Sequence, residues 1–415
     1  AQRAKGRGRK RRGKAAESLE RIYAEDGQAQ KPASALRALL ESAGEGRKLE
    51  LRLRLTDVHE HELNDAAGAF EVILGTLPMA PADITLWDRT ASLGEAAGRY
   101  NDLAAAYREH LKVAPPAAPS AEDEDGEAGE ASEAAEAPAE TSSLPDDLVV
   151  ELCERAAVLH EEQLGDAQGS VPYLERMLAI EPTNERAFER LKAILNALER
   201  WDALQALYER TIEVTQDALH QIDLLHQAGL VAEDMVANDE RAIGYYQRIV
   251  DLDPIHTAAV AALERLYARE ERFGELADLL ETKLETANPD DIADIRQQLV
   301  ELYLGQLEKP ERVMAHLDPL LREREEDLDA RALAERCLEV PQLRQPAAAL
   351  LDVVYESVDD PRDLVRILEI RLEGSEDEDH KRELLHRIAT LRDERLKDDA
   401  GAFEALRVLM PLEPD

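Results

Sequence analysis

The chain has 415 residues, 89 acidic against 50 basic, giving a formal charge of −39, and only 4% of it is aromatic. A surface this acidic repels nucleic-acid phosphates and anionic lipid. The longest apolar runs, such as Pro346 to Leu351, fall well short of the roughly 18 residues of a membrane span, and two distant cysteines, Cys153 and Cys337, make neither a disulfide framework nor a thiolate zinc site.

Taken from the start, residues 1–15 are rich in Arg, Lys and Gly and lack apolar periodicity, which predicts a basic disordered arm. No aromatic is interleaved for base stacking, so this arm reads as a linker or a contact for acidic protein surface. A first helix is predicted from near Ala16. Across 16–112 apolar residues recur at three- and four-residue steps: Leu36, Leu39 and Leu40; Leu51, Leu55 and Val58; Phe70, Ile73 and Leu74; Trp87, Leu93, Tyr100, Leu103, Tyr107 and Leu111. This is an N-terminal helical array.

Residues 113–143 carry only negative charges, Pro, Gly and small residues, and cannot bury enough surface to offset chain entropy. They are predicted to be a disordered acidic linker between two arrays. Asp123, Asp125 and Gly126 imitate a calcium loop, but Ala121 and Ser132 occupy its first and last ligand positions, so no metal is predicted there. The helical pattern resumes over 144–415. Helix pairs are predicted at 147–163 with 169–180, 184–197 with 200–214, 218–236 with 239–251, 255–269 with 272–286, and 290–306 with 310–323. Pro182, Pro254 and Pro289 mark turns. Residues 327–373 hold three helices, one an insertion near 328–338, and a last pair spans 377–395 and 399–410.

A shift of 72 residues lays Trp201 on Phe273, Leu204 on Leu276, Tyr173 on Tyr245, Pro182 on Pro254 and Leu191 on Leu263. An offset of 101 relates Trp87 and Tyr107 to Phe188 and Tyr208, the excess being the linker. Recurrent apolar positions separated by variable residues are what stacked helical hairpins sharing one core show. The aromatic set Trp87, Tyr100, Trp201, Tyr208, Tyr246, Tyr267 and Phe273 is accordingly predicted to fill the core.

At Phe188, Leu191, Leu195, Trp201, Tyr208 and Ile212, at Val260, Leu263, Tyr267, Phe273, Leu280 and Leu284, and at Ala242, Tyr246, Ile249 and Pro254, the chain resembles the tetratricopeptide repeat family. It departs from that pattern where Lys192 and Glu264 replace small residues and Leu204 and Leu276 replace alanine. The resemblance implies an all-α, right-handed helical-hairpin solenoid whose concave face holds a peptide or helix of another protein. The corresponding face positions Arg186, Glu189, Asn196, Arg265 and Arg269 are the candidate partner-binding residues, and no carboxylate clamp is recognisable among them.

Nothing in the sequence argues for chemistry. His59 and His61 stand two apart, not at the three- or four-residue spacing of a helical metal pair, and His380 and His386 share no better geometry. No Gly-rich phosphate loop or Cys/His pair with a base is present. The expectation is therefore a non-catalytic protein-interaction scaffold, without cofactor, whose acidic surface favours partners with basic segments. The competing readings are a self-assembling structural solenoid of a large bacterial envelope or motility complex and a regulatory module of a longer protein. Both ends look like cuts through such a protein. A cytoplasmic location is favoured, and residue usage suggests a bacterium with a GC-rich genome.

Overall fold

In the computed structural model of the chain, residues 30–113, 144–324 and 327–412 are described. The basic arm 1–15, the helix start near Ala16 and the calcium-like Asp123, Asp125 and Gly126 lie outside them. The described residues form twenty α-helices and no strand.

Two compact units meet in the chain between Gln216 and Asp217. The first holds α1 (Gln30–Ser42), α2 (Glu45–Asp57), α3 (Ala66–Leu74), α4 (Ile84–Ala97), α5 (Tyr100–Leu111), α6 (Asp146–Val158), α7 (Ala167–Ile180), α8 (Glu185–Ala197) and α9 (Trp201–Val214). The second holds α10 (Ala218–Leu230), α11 (Asp239–Leu252), α12 (Thr257–Arg269), α13 (Phe273–Thr286), α14 (Pro289–Leu304), α15 (Pro310–Glu323), α16 (Leu328–Cys337), α17 (Arg344–Ser357), α18 (Pro361–Gly374), α19 (Glu378–Thr390) and α20 (Asp399–Leu409). Within each unit every helix packs on the one before it, an all-α solenoid of helical hairpins. The predicted pairs and the inserted helix α16 are all present.

Two kinds of hairpin alternate, and this explains the 72-residue period. In the wide kind the first helix ends in a π-turn, as at Val58–Glu62, Leu159–Gln163, Val231–Met235 and Leu391–Leu396. The turn then closes over six residues, with Asp166 N–H donating to His160 O and Asn238 N–H to Ala232 O, both at 2.9 Å. In the tight kind it closes over five, with Arg200 N–H donating to Leu195 O at 2.9 Å and Arg272 N–H to Tyr267 O at 2.8 Å. Each turn places one residue in the left-handed region: Gly165 and Ala237 in wide turns, Glu199 and Glu271 in tight ones. Each of these pairs is 72 apart, because the true repeat is one wide plus one tight hairpin.

Burial follows the apolar stripes. Trp87 is fully buried, its ring stacked 5.1 Å from that of Tyr107 and its indole N–H donated to Pro81 O at 2.9 Å. Tyr208, Tyr246 and Tyr267 are buried too. Tyr100, Trp201 and Phe273 depart from the prediction. They begin α5, α9 and α13, where a helix edge meets the turn, and are only half-buried. The small-residue requirement of close helix packing is met in the wide hairpins: a side chain at Gly229 would strike the Tyr246 ring, 2.9 Å away.

Residues 114–143 of the predicted linker lie outside the described residues; on either side of them α5 packs on α6, and Arg155 Nη1 lies 2.7 Å from Asp88 Oδ1 of α4. The tight hairpin α4–α5 is followed by the wide hairpin α6–α7, so the alternation passes the acidic segment unbroken. The contacts divide into the two units after α9.

Candidate protein-interaction surfaces

The wide turns bring charged groups together at regular places. His59 sits in the first π-turn, buried, with Nδ1 2.9 Å from Asp65 Oδ2, while Asp65 Oδ1 accepts the Gly68 N–H at 2.9 Å. The bonds from Gly68 and His59 hold the Asp65 carboxyl below the usual carboxylate range. The arrangement recurs at His160, 3.3 Å from Asp166, whose other oxygen caps α7 through Gly169 N–H at 2.9 Å. Burial pushes the His160 imidazole down, against the opposing pull of Asp166. These histidines are therefore engaged in capping helices. Among the described residues no three His, Cys, Asp or Glu side chains stand close enough to hold a metal.

An acidic residue of each of the first three π-turns takes an arginine from the tight hairpin that follows. Glu60 accepts from Arg89 at 2.7 Å, Glu161 from Arg190 at 2.9 Å, and Glu233 from Arg265 at 3.0 Å. Arg269 pairs with Asp239 and lies 3.6 Å from Glu233. The two arginines singled out in α12 are thus tied to carboxylates of their own chain, and a ligand meeting them there would have to displace those carboxylates. Of the other candidates, Arg186 reaches Glu154 at 3.2 Å while its side chain stays 76% exposed, Glu189 pairs with Lys192 at 2.7 Å, and Asn196 is exposed. Three of the five lie on α8 in the first unit and two on α12 in the second.

A concave site lies elsewhere in the second unit. An open cleft of about 440 Å³ runs between α11, α12 and α13. Val250, Leu263, Tyr267 and Leu279 give it apolar walls, and Asp251, Glu275 and Asp278 stand at its edge. The Tyr267 hydroxyl is held by Gln247 Nε2 at 2.7 Å, and the Arg272 guanidinium lies 5.3 Å from the ring centroid. Arg272 also bonds Glu275 at 2.8 Å and keeps its carboxyl below the ordinary value, so Glu275 is charged at neutral pH. Gln247, Asp251 and Asp278 carry no signal in sequence, because only the stacking of α11 on α12 and of α12 on α13 sets them around one space.

Both cysteines are free and buried, and burial raises the Cys153 thiol to about 12 and the Cys337 thiol to about 11. No described helix is long and apolar enough to cross a membrane.

No family model and no curated protein matches this chain. Solved structures that it is similar to include tetratricopeptide repeat proteins. The Naa15/Naa10 complex bound to HypK-THB aligns over 97% of this chain at 14% identity and a TM-score of 0.30. This chain spans 59% of that one. YrrB, a TPR protein with an unusual peptide-binding site, aligns over 45% of this chain and 90% of its own at 15% identity and a TM-score of 0.24. The C-terminal part of a TPR repeat-containing protein from Cytophaga hutchinsonii aligns over 63% of this chain and 98% of its own at 13% identity and a TM-score of 0.27. Likenesses this low carry no functional argument. The tetratricopeptide-like description rests on the hairpins and their turns.

Proposed function

We propose that this chain is a non-catalytic protein-interaction scaffold that holds an extended or helical segment of a partner protein in the cleft between α11, α12 and α13. The observation that carries this reading is the combination of apolar walls with a carboxylate edge at Asp251, Glu275 and Asp278. Apolar walls supply affinity by removing surface from water, and fixed carboxylates select a partner bearing Lys or Arg. The formal charge of −39 raises the encounter rate with such a segment and makes it depend on salt.

The test is capture of proteins from host extract by the full chain, at low and high salt, compared with the double variant Asp251→Asn, Asp278→Asn and with Leu279→Asp. One saturable partner, lost with Leu279→Asp and weakened by the double variant and by salt, is the expected result. A partner retained equally by all three proteins at both salts would remove the cleft from the reading.

A further inference from the structure

The cleft between α11, α12 and α13 has a counterpart 72 residues earlier in the repeat, and the two differ in their polar residues. The counterpart lies between α7, α8 and α9, at the same junction of a wide with a tight hairpin. Leu263 and Leu279 correspond to Leu191 and Leu207, so apolar walls are common to both. Asp251 and Asp278 correspond to Ala179 and Ala206. The helices therefore stack without carboxylates at these places, and the two aspartates are surplus to the fold.

Cations of the chain itself are also withdrawn from the cleft. In the counterpart, burial pushes the Glu175 carboxyl up while Arg210 and Arg200 pull against it. The cleft has Gln247 in place of Glu175 and Thr282 in place of Arg210. Arg272, the equivalent of Arg200, is bonded to Glu275 at 2.8 Å. Asp251 and Asp278 make no ion pair among the described residues. Arg312, whose charge Asp278 feels, bonds the Tyr303 hydroxyl at 3.2 Å. Other acids of this unit, such as Glu233 and Glu264, hold an arginine or lysine of their own chain.

The floor of the cleft carries an unused donor. Tyr267, where the counterpart has Leu195, is 4% exposed, and its hydroxyl accepts from Gln247 Nε2 at 2.7 Å. The hydroxyl hydrogen is thus left for an acceptor inside the cleft. Tyr303 and Tyr355 differ, since each donates its hydrogen to a carboxylate, Glu281 at 2.9 Å and Glu335 at 2.6 Å.

Taking the cleft as the binding site, we infer that it accepts an extended basic segment of a partner protein. A main-chain carbonyl of the segment accepts from the Tyr267 hydroxyl, an apolar side chain lies between Val250 and Leu279, and Lys or Arg on either side meets Asp251 and Asp278. A helical segment does not meet these demands, because its carbonyls are already bonded within the helix.

The probe is the labelled peptide Gly-Arg-Leu-Arg-Leu-Arg-Gly, titrated into the full chain and read by fluorescence anisotropy, beside an analogue with glutamine in place of each arginine. Such peptides are too short to hold a helix in water. Saturable one-to-one binding of the arginine peptide is expected, with the glutamine peptide weaker by roughly three- to tenfold, the scale of two exposed ion pairs. Asp251→Ala with Asp278→Ala should bring the arginine peptide to the level of the glutamine peptide without lowering the melting temperature, since the counterpart folds with alanine there. Tyr267→Phe should weaken both peptides by roughly two- to tenfold, the scale of one hydrogen bond. No saturable binding of the arginine peptide, equal binding of the two peptides, or indifference to the paired alanine variant would overturn the basic pattern. Indifference to Tyr267→Phe would overturn the extended backbone. Leu279→Asp separates these failures from that of the cleft: if both peptides bind it as they bind the wild type, they sit elsewhere on the acidic surface and the cleft is not the site.

Discussion

Replacing Gly169 by Ala inverts an ordinary expectation. In a helix, Gly→Ala usually stabilises by about 0.5–1 kcal/mol, because alanine has less conformational freedom to lose. Gly169 stands in the first turn of α7, three residues after its capping Asp166. A methyl group there would run into the Asp166 carboxylate and the His160 ring. Both sides of the cap must then give way. Loss of the capping bond costs about 1 kcal/mol, and leaving the buried His160 Nδ1 without its carboxylate costs about 1–3 kcal/mol more. Set against the gain in the unfolded chain, the net effect is a destabilisation of about 1–3 kcal/mol. Gly244 in α11 is the control, because an added methyl meets nothing within 4 Å. Gly244→Ala should stabilise by about 0.5–1 kcal/mol. Trp87 and Trp201 both lie in the first unit, so urea unfolding followed by tryptophan fluorescence reports Gly169→Ala. Circular dichroism reports Gly244→Ala. A Gly169→Ala midpoint that rises as the control's does would refute the account of the cap.

Two tryptophan truncations should separate core from turn: Trp87→Ala is expected to cost about 3–5 kcal/mol, and the half-buried Trp201→Ala distinctly less, both measured by urea midpoint. The two cysteines should react with a thiol reagent only as fast as the protein opens, since burial holds Cys153 near a pKa of about 12 and Cys337 near about 11; stoichiometric labelling of the native chain within mixing time would contradict this. His160 has its folded pKa below the ordinary 6.5, so the unfolded chain takes up the proton first, and the stability this group contributes is full above 6.5 and declines as pH falls below it. The unfolding midpoint of the first unit should therefore drop between about pH 7 and about pH 5, and His160→Gln should flatten that part of the profile.

Helix content, the helix pairs and the inserted α16 were legible in the sequence because they depend on local periodicity and on prolines that end helices. The 72-residue repeat was visible, but its division into a wide and a tight hairpin was not. That division turns on a single extra residue in the backbone bonding of each turn, which apolar spacing does not register. Trp201 and Phe273 match in the repeat as well as any core residue does. Their half-burial comes from standing at the first position of a helix, on the edge of the packed layer.

The candidate sites divide in the same way. Arg265 and Arg269 are on an exposed helix face, as their spacing indicates, but whether such charges are available depends on what the preceding hairpin presents, and it presents Glu233 and Asp239. The cleft was invisible for a related reason. Asp251, Tyr267 and Asp278 belong to three helices, and Phe403 has the same neighbours in sequence, Gly-Ala before it and Glu after it, as the fully buried Phe70. By itself the sequence determined which side of each helix is apolar, since that is a property of residues three and four apart. Only the tertiary structure decided which of those sides are covered, because covering requires a second helix whose register is set by turn geometry and packing.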